Sequence, residues 1–129
     1  RGGMFLFSPS KPQHEDALVW QCKFCRVSVG NTHRCSAQVS SEQLRIVWTS
    51  GLLERERVFK PCNLLRASKE PDREGVVRVH VLTSPDSNGD SEYKQYDVSG
   101  FHKRDGPDSF EAAVNAVAFS NQPLSGRFL

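Results

Sequence analysis

Three of the four cysteines in this chain crowd into fourteen residues: Cys22, Cys25 and Cys35, with His33 between the last two, while Cys62 lies farther along. Structural zinc takes four tetrahedral nitrogen or sulfur ligands, and a Cys-x-x-Cys pair on a turn supplies two of them. The pattern therefore predicts a zinc staple held by Cys22, Cys25, Cys35 and Cys62. A compact alternative uses Cys22, Cys25, His33 and Cys35. Arg26-Val27-Ser28-Val29 alternates, and Gly30-Asn31 supplies turn chemistry. A two-residue hairpin there sets Arg26 opposite Cys35 and brings Cys35 beside Cys25. His33 then falls two positions along the strand, roughly 6–7 Å away, which favours Cys62 as the fourth ligand. The spacing matches neither a complete C2H2 finger nor a double Cys-x-x-Cys ribbon, and no nearby acid marks an open position, so a bound zinc ion is expected to be structural. Four free thiols and a disulfide pairing are the competing readings.

The composition fits a small core with a staple: 37% of residues are hydrophobic and mean hydropathy is −0.51. No run of eighteen apolar residues occurs, so no membrane partner is expected. No Asn-x-Ser/Thr sequon occurs either, which points to an intracellular protein of the cytoplasm or nucleus. Residues 1–16, containing Ser8-Pro9-Ser10-Lys11-Pro12, read as an extended arm. Residues 17–123 read as a single zinc-stabilised domain and 124–129 as a flexible tail.

The fold class is α+β: a small, mainly antiparallel sheet with a C-terminal helix. Ala17 to Trp20 reads as a short strand entering a Cys22–Cys25 knuckle. Leu44 to Trp48 and Leu53 to Phe59 are strand-like around a Ser50-Gly51 turn, and Asn63 to Ala67 reads as one helical turn. Val76 to Thr83 is the clearest strand, and Glu92 to Val98 returns antiparallel beyond the Asn88-Gly89 loop. Ser109 to Phe119 carries helical spacing, with Asp108 as N-cap, Glu111 three residues on, and Asn121 and Pro123 as the stop. Phe110, Val114 and Val117 share one helix face and are expected to meet Val77, Val79 and Val81.

Charge is unevenly spread. Residues 22–69 hold nine Lys/Arg against three Asp/Glu, and residues 70–129 hold six against ten. A basic first half with interleaved aromatics is the pattern of a nucleic-acid surface, here for RNA or single strands. Lys23, Phe24, Arg26, Arg34, Arg45, Arg55, Arg57 and Lys60 are the expected contacts, with Phe24 as a base-stacking residue at the knuckle tip. The alternative is a zinc-stabilised protein-interaction module working through strand edges, which suits the formal net charge of only +2. A third reading is a papain-like cysteine hydrolase using Cys62 and His102, but no glycine-rich oxyanion segment precedes Cys62. A non-enzymatic role is therefore expected.

Overall fold

The computed structural model describes residues 17–120, so the 1–16 arm, the 124–129 tail and the expected helix stop at Asn121 and Pro123 lie outside the described residues. Seven strands and one helix follow in order: β1 (Leu18–Arg26), β2 (Thr32–Val39), β3 (Leu44–Ser50), β4 (Leu53–Phe59), a 3-10 turn (Pro61–Asn63), β5 (Leu64–Lys69), β6 (Val77–Leu82), β7 (Tyr93–Ser99) and α1 (Gly106–Ser120). The expected α+β class is present: one antiparallel sheet in the order β4-β3-β2-β1-β7-β6-β5, with a single C-terminal helix.

The alternation in β1 sets the sheet's inner face. Trp20, Cys22 and Phe24 point one way, and Gln21, Lys23 and Cys25 the other, because successive strand residues face opposite sides. Register then carries the same face across the sheet. Cys22 sits opposite Cys35 and Phe24 opposite His33 on β2. Cys35 meets Trp48, Ala37 meets Ile46, and Val39 meets Leu44 on β3. On the other side Phe24 meets Val98 of β7, which meets Val77 of β6.

The sheet rolls up without closing. Four strand steps separate β4 from β7, about 19 Å in a flat sheet. Yet the Phe59 and Tyr96 ring centroids are 5.4 Å apart, and Phe24 lies 4.7 Å from Trp48 and 6.3 Å from Tyr96. Only a rolled sheet brings these rings together. The roll leaves one seam, between β4 and β5, the two strands at the ends of the hydrogen-bonded order.

Helix α1 packs chiefly along β5 and touches β6 and β2. Phe110, Val114 and Val117 are buried in the same cluster as Val77, Val79 and Val81, as their spacing predicts. Phe110 sits edge-on to Trp20 at 5.3 Å, and Trp20 Nε1 donates to Ser109 Oγ at 3.0 Å. The helix also closes the β5 edge. Asn115 Oδ1 accepts from the Ala67 amide at 2.7 Å and Asn115 Nδ2 donates to the Ala67 carbonyl at 2.9 Å, so one side-chain amide stands in for a neighbouring strand. Glu111 accepts from the Lys69 amide at 3.1 Å.

Three local expectations need correction. The Cys22–Cys25 knuckle is absent; β1 runs straight through it, because the Trp-x-Cys-x-Phe alternation outweighs the turn reading, and Cys35 returns beside Cys22 rather than Cys25. Residues 64–67 are strand, not helix, with only Pro61–Asn63 coiled. The helix starts at Gly106, three residues early, so Asp108 is inside its first turn and pairs with Lys69 instead of capping. Gly106 is required there: a Cβ would lie 2.6 Å from that of Phe101.

Two substitutions check this packing. Phe110→Ala empties a fully buried site and is expected to lower unfolding free energy by about 3–5 kcal/mol. Asn115→Ala strips both partners from the buried Ala67 peptide and is expected to cost about 1–3 kcal/mol. Denaturant unfolding measures both; an Asn115→Ala cost near zero overturns the edge-closing role.

Candidate functional site

Strand β4 reads Leu53-Glu54-Arg55-Glu56-Arg57-Val58-Phe59, so its charges sort by sign onto two faces. Arg55 lies opposite Trp48, Arg57 opposite Ile46 and Phe59 opposite Leu44, all on the inner face. Glu54, Glu56 and Val58 take the outer one. The Gly51-Leu52 turn that delivers β4 is two residues long, with Gly51 at φ +64°, a backbone region that favours glycine. β4 hydrogen-bonds β3 on one side and, among the described residues, no strand on the other. Its residues 53–57 are exposed, and Leu52 beside them is 103% exposed.

The two faces of this edge differ in how far their charges are satisfied. Outside, Arg45 donates to both carboxylate oxygens of Glu56 at 3.4 Å and to Gln38 at 2.9 Å. Inside, the Arg57 guanidinium stands 5.8 Å over the Tyr96 ring. It borders a cavity of about 190 Å³ in the seam, which Asn63, Ser84, Lys94 and Tyr96 also line. Asn63 Nδ2 donates to the Leu82 carbonyl at 3.0 Å and to Ser84 Oγ at 3.2 Å, tying the 3-10 turn to the end of β6.

The basic residues expected to bind nucleic acid do not share a face. Arg55 and Arg57 line the seam edge. Lys23 and Arg34 face each other across β1 and β2 on the outer surface, where with Gln21, Ser36, Thr49 and His102 they line a groove of about 530 Å³. Arg45 is committed to Glu56 and Gln38, Lys60 reaches Gln43 at 3.4 Å, and Arg26 sits 4.0 Å from Glu92. Phe24 is 4% exposed and packed among Trp48, His33 and Tyr96, so the stacking role expected of it is corrected: it is core.

The structure does not support the zinc staple. Cys22 and Cys35 face each other inside the roll with sulfurs 3.6 Å apart. Their mutual hydrogen bond, then burial, holds the Cys35 thiol above its usual range. Cys25 points to the opposite face and contacts the Arg26 carbonyl, and Cys62 is exposed on the 3-10 turn beside Asn63. No group of three or more His, Cys, Asp or Glu positioned to hold a metal occurs among the described residues. His33 packs at a tilt against the Phe24 and Trp48 rings, and no hydrogen bond joins Cys62 to His102.

Two polar clusters escaped the sequence reading. Asp97 is buried on the outer face and accepts from Arg73 at 2.7 Å and from Arg78 at 2.7 and 3.0 Å; Arg78 also lies 3.5 Å from Glu70. Burial works to raise the Asp97 carboxyl, but its arginine partners outweigh that and hold it below the usual carboxylate range. Nearby, His80 stacks on Tyr93 and hydrogen-bonds its hydroxyl, with Ser68 Oγ at 3.4 Å on the other ring nitrogen. Burial, then the charges of Arg66 and Arg78, pushes the His80 pKa down against the opposing pull of Glu70 and Asp97. These groups anchor the 70–76 loop and the outside of β6–β7, away from the seam.

No protein-family model matches the chain, and no curated protein matches it.

The titrations fix a pH profile. A folded His80 pKa below its unfolded value near 6.5 means the unfolded chain binds the proton more readily. Its contribution is whole above about pH 6.5 and is lost as pH falls below that. Asp97 adds a second loss below about pH 4. Urea unfolding is expected to show less stability at pH 5 than at pH 7.5, and His80→Gln to flatten that interval while leaving the acid loss below pH 4. An unchanged slope between pH 7.5 and 5 in His80→Gln shows that His80 does not set it.

Proposed function

We propose that this chain is a non-catalytic interaction module that takes an extended segment of another protein as an added strand along β4. The single observation that carries this reading is the unequal treatment of the two sheet ends. β5 has its edge peptide groups occupied by Asn115 and Glu111, while β4 presents a seven-residue edge whose first five side chains, 53–57, are exposed. An exposed edge strand is a template for another chain, and strand addition supplies affinity through main-chain hydrogen bonds. Leu52 and Leu53 at its start, 103% and 63% exposed, offer apolar contact to the same partner.

The charge order on β4 tells against self-pairing. Two copies paired antiparallel about a twofold axis place residues of the same face opposite each other. Arg55 or Arg57 then meets arginine, and Glu54 or Glu56 meets glutamate, which is destabilising. The edge is thus guarded against its own kind and open to a strand of different charge.

A second reading keeps the nucleic-acid expectation on two of its expected residues. Lys23 and Arg34, paired across β1 and β2 with His102 beside them, form a basic outer groove to which a phosphate backbone is complementary. Neither reading calls on a metal.

Amide hydrogen exchange separates them. In the free protein the outward amides of residues 53–58 are expected to exchange quickly, and that of Ala67 slowly. A bound extended peptide is expected to slow exchange in 53–58 and leave 64–69 unchanged. Protection confined to β1–β2 on adding single-stranded oligonucleotide, with none in β4 for any peptide, selects the second reading.

A further inference from the structure

The strand-addition reading leaves open what kind of strand the edge accepts, and the seam cavity bears on that. We infer that the partner strand carries an acidic side chain, aspartate or glutamate, which enters the seam between Arg57 and Lys94. This rests on the strand-addition reading and adds a charge requirement to it.

The geometry is as follows. A strand laid beside β4 has alternate side chains on the same face as Arg55 and Arg57. That face opens on the cavity of about 190 Å³ bordered by Arg57, Asn63, Ser84, Lys94 and Tyr96. Two cations line it. Arg57 makes a ring contact with Tyr96 at 5.8 Å, and among the described residues no carboxylate lies within salt-bridge reach of it. Lys94 extends inward opposite Val81, with a side chain only 19% exposed. Its carboxylate neighbour is Glu92, at 3.8 Å, which is 68% exposed and also serves Arg26 at 4.0 Å. An incoming carboxylate meets one guanidinium that lacks a carboxylate partner and one ammonium held loosely. On the outer face Glu56 already pairs with Arg45, while Glu54 is exposed and in no ion pair among the described residues. The acid requirement is set on the seam face, where both cations line the cavity.

A nucleic-acid phosphate suits this seam less well. Arg57 and Lys94 flank a small cavity beside a strand edge, and an extended peptide supplies both the backbone hydrogen bonds and a single short acid to fill it.

The test selects a random dodecapeptide display library on the folded chain, then measures the affinities of the winners by fluorescence polarisation. Selected peptides are expected to carry Asp or Glu at alternate positions. Asp→Asn in the peptide is expected to weaken binding by about tenfold or more, with an effect that shrinks at high salt. The Arg57→Gln and Lys94→Gln double variant, its fold checked by unfolding, is expected to bind the Asp and Asn peptides equally. Methylating alternate backbone nitrogens of the peptide is expected to abolish binding by wild type and variant alike.

The failures are distinguishable. If winners lack acids, or Asp and Asn peptides bind equally to wild type while backbone methylation still abolishes binding, the acid requirement falls and strand addition stands. If backbone methylation has no effect, or no peptide is enriched while single-stranded RNA binds, strand addition falls and the acid requirement goes with it.

Discussion

The contact between Phe59 of β4 and Tyr96 of β7 is the constraint from which the rest of this architecture follows. It joins strands four places apart in hydrogen-bonding order. Once that contact is made the sheet must curl, and curling converts one sheet face into an interior. Phe24, Trp48 and the valines of β6 then need no second sheet to pack against. A chain with only 37% hydrophobic residues builds a continuous core this way, because nearly every inward position serves the same cluster. The same curl leaves a seam, since β4 and β5 belong to opposite ends of the strand order and do not pair.

The proposed function rests on how the protein treats that seam. An unpaired strand edge is a liability that folded proteins cover, charge or shorten. Here the β5 edge is covered, by an amide from α1 that copies the hydrogen-bonding pattern of a missing strand. The β4 edge is charged instead. Covering closes an edge to every partner, whereas sign-sorted charge disfavours pairing with an identical copy and, on the proposed reading, leaves the edge open to a complementary strand. The interior-facing arginines add a further asymmetry, because Glu56 has an arginine across the strand while Arg57 has an aromatic ring. On the proposed reading, that difference gives the edge a preferred partner charge.

Much of the fold was readable from residue order. The β3–β4 hairpin followed from Ser50-Gly51, the β6 strand from its alternating valines, and the inner face of α1 from Phe110, Val114 and Val117. What failed were places where a local signal competed with a longer one. Asn63 to Ala67 has helix-compatible residues, but pairing with β6 made residues 64 onward a strand. The seam was not legible at all. Nothing in the order of residues links Arg57 with Lys94 and Ser84; their proximity exists only because the sheet rolls. The Glu-Arg-Glu-Arg alternation was visible, yet it counted toward a basic half of the chain rather than toward two faces of one edge.

The cysteines show why the motif reading and the structure part company. A Cys-x-x-Cys pair gathers both sulfurs only where the backbone turns. On an extended strand an offset of three residues is odd, so the two side chains face opposite sides of the sheet, with α-carbons about 10 Å apart along the strand. Whether residues 22–25 turn or extend is decided outside the motif, by Trp20 before it and by the register with β2 after it. Trp20, Cys22 and Phe24 each gain an inward position if the strand continues, and a turn would forfeit at least one of them. Phe24 alone is 4% exposed and in contact with three other rings, a burial worth about 1.5–3 kcal/mol. With the strand extended, Cys22 and Cys35 become a facing pair of free thiols inside the core, where they act as small apolar side chains. The spacing that marks a metal ligand on a turn thus marks, on this strand, one buried residue and one on the outer face.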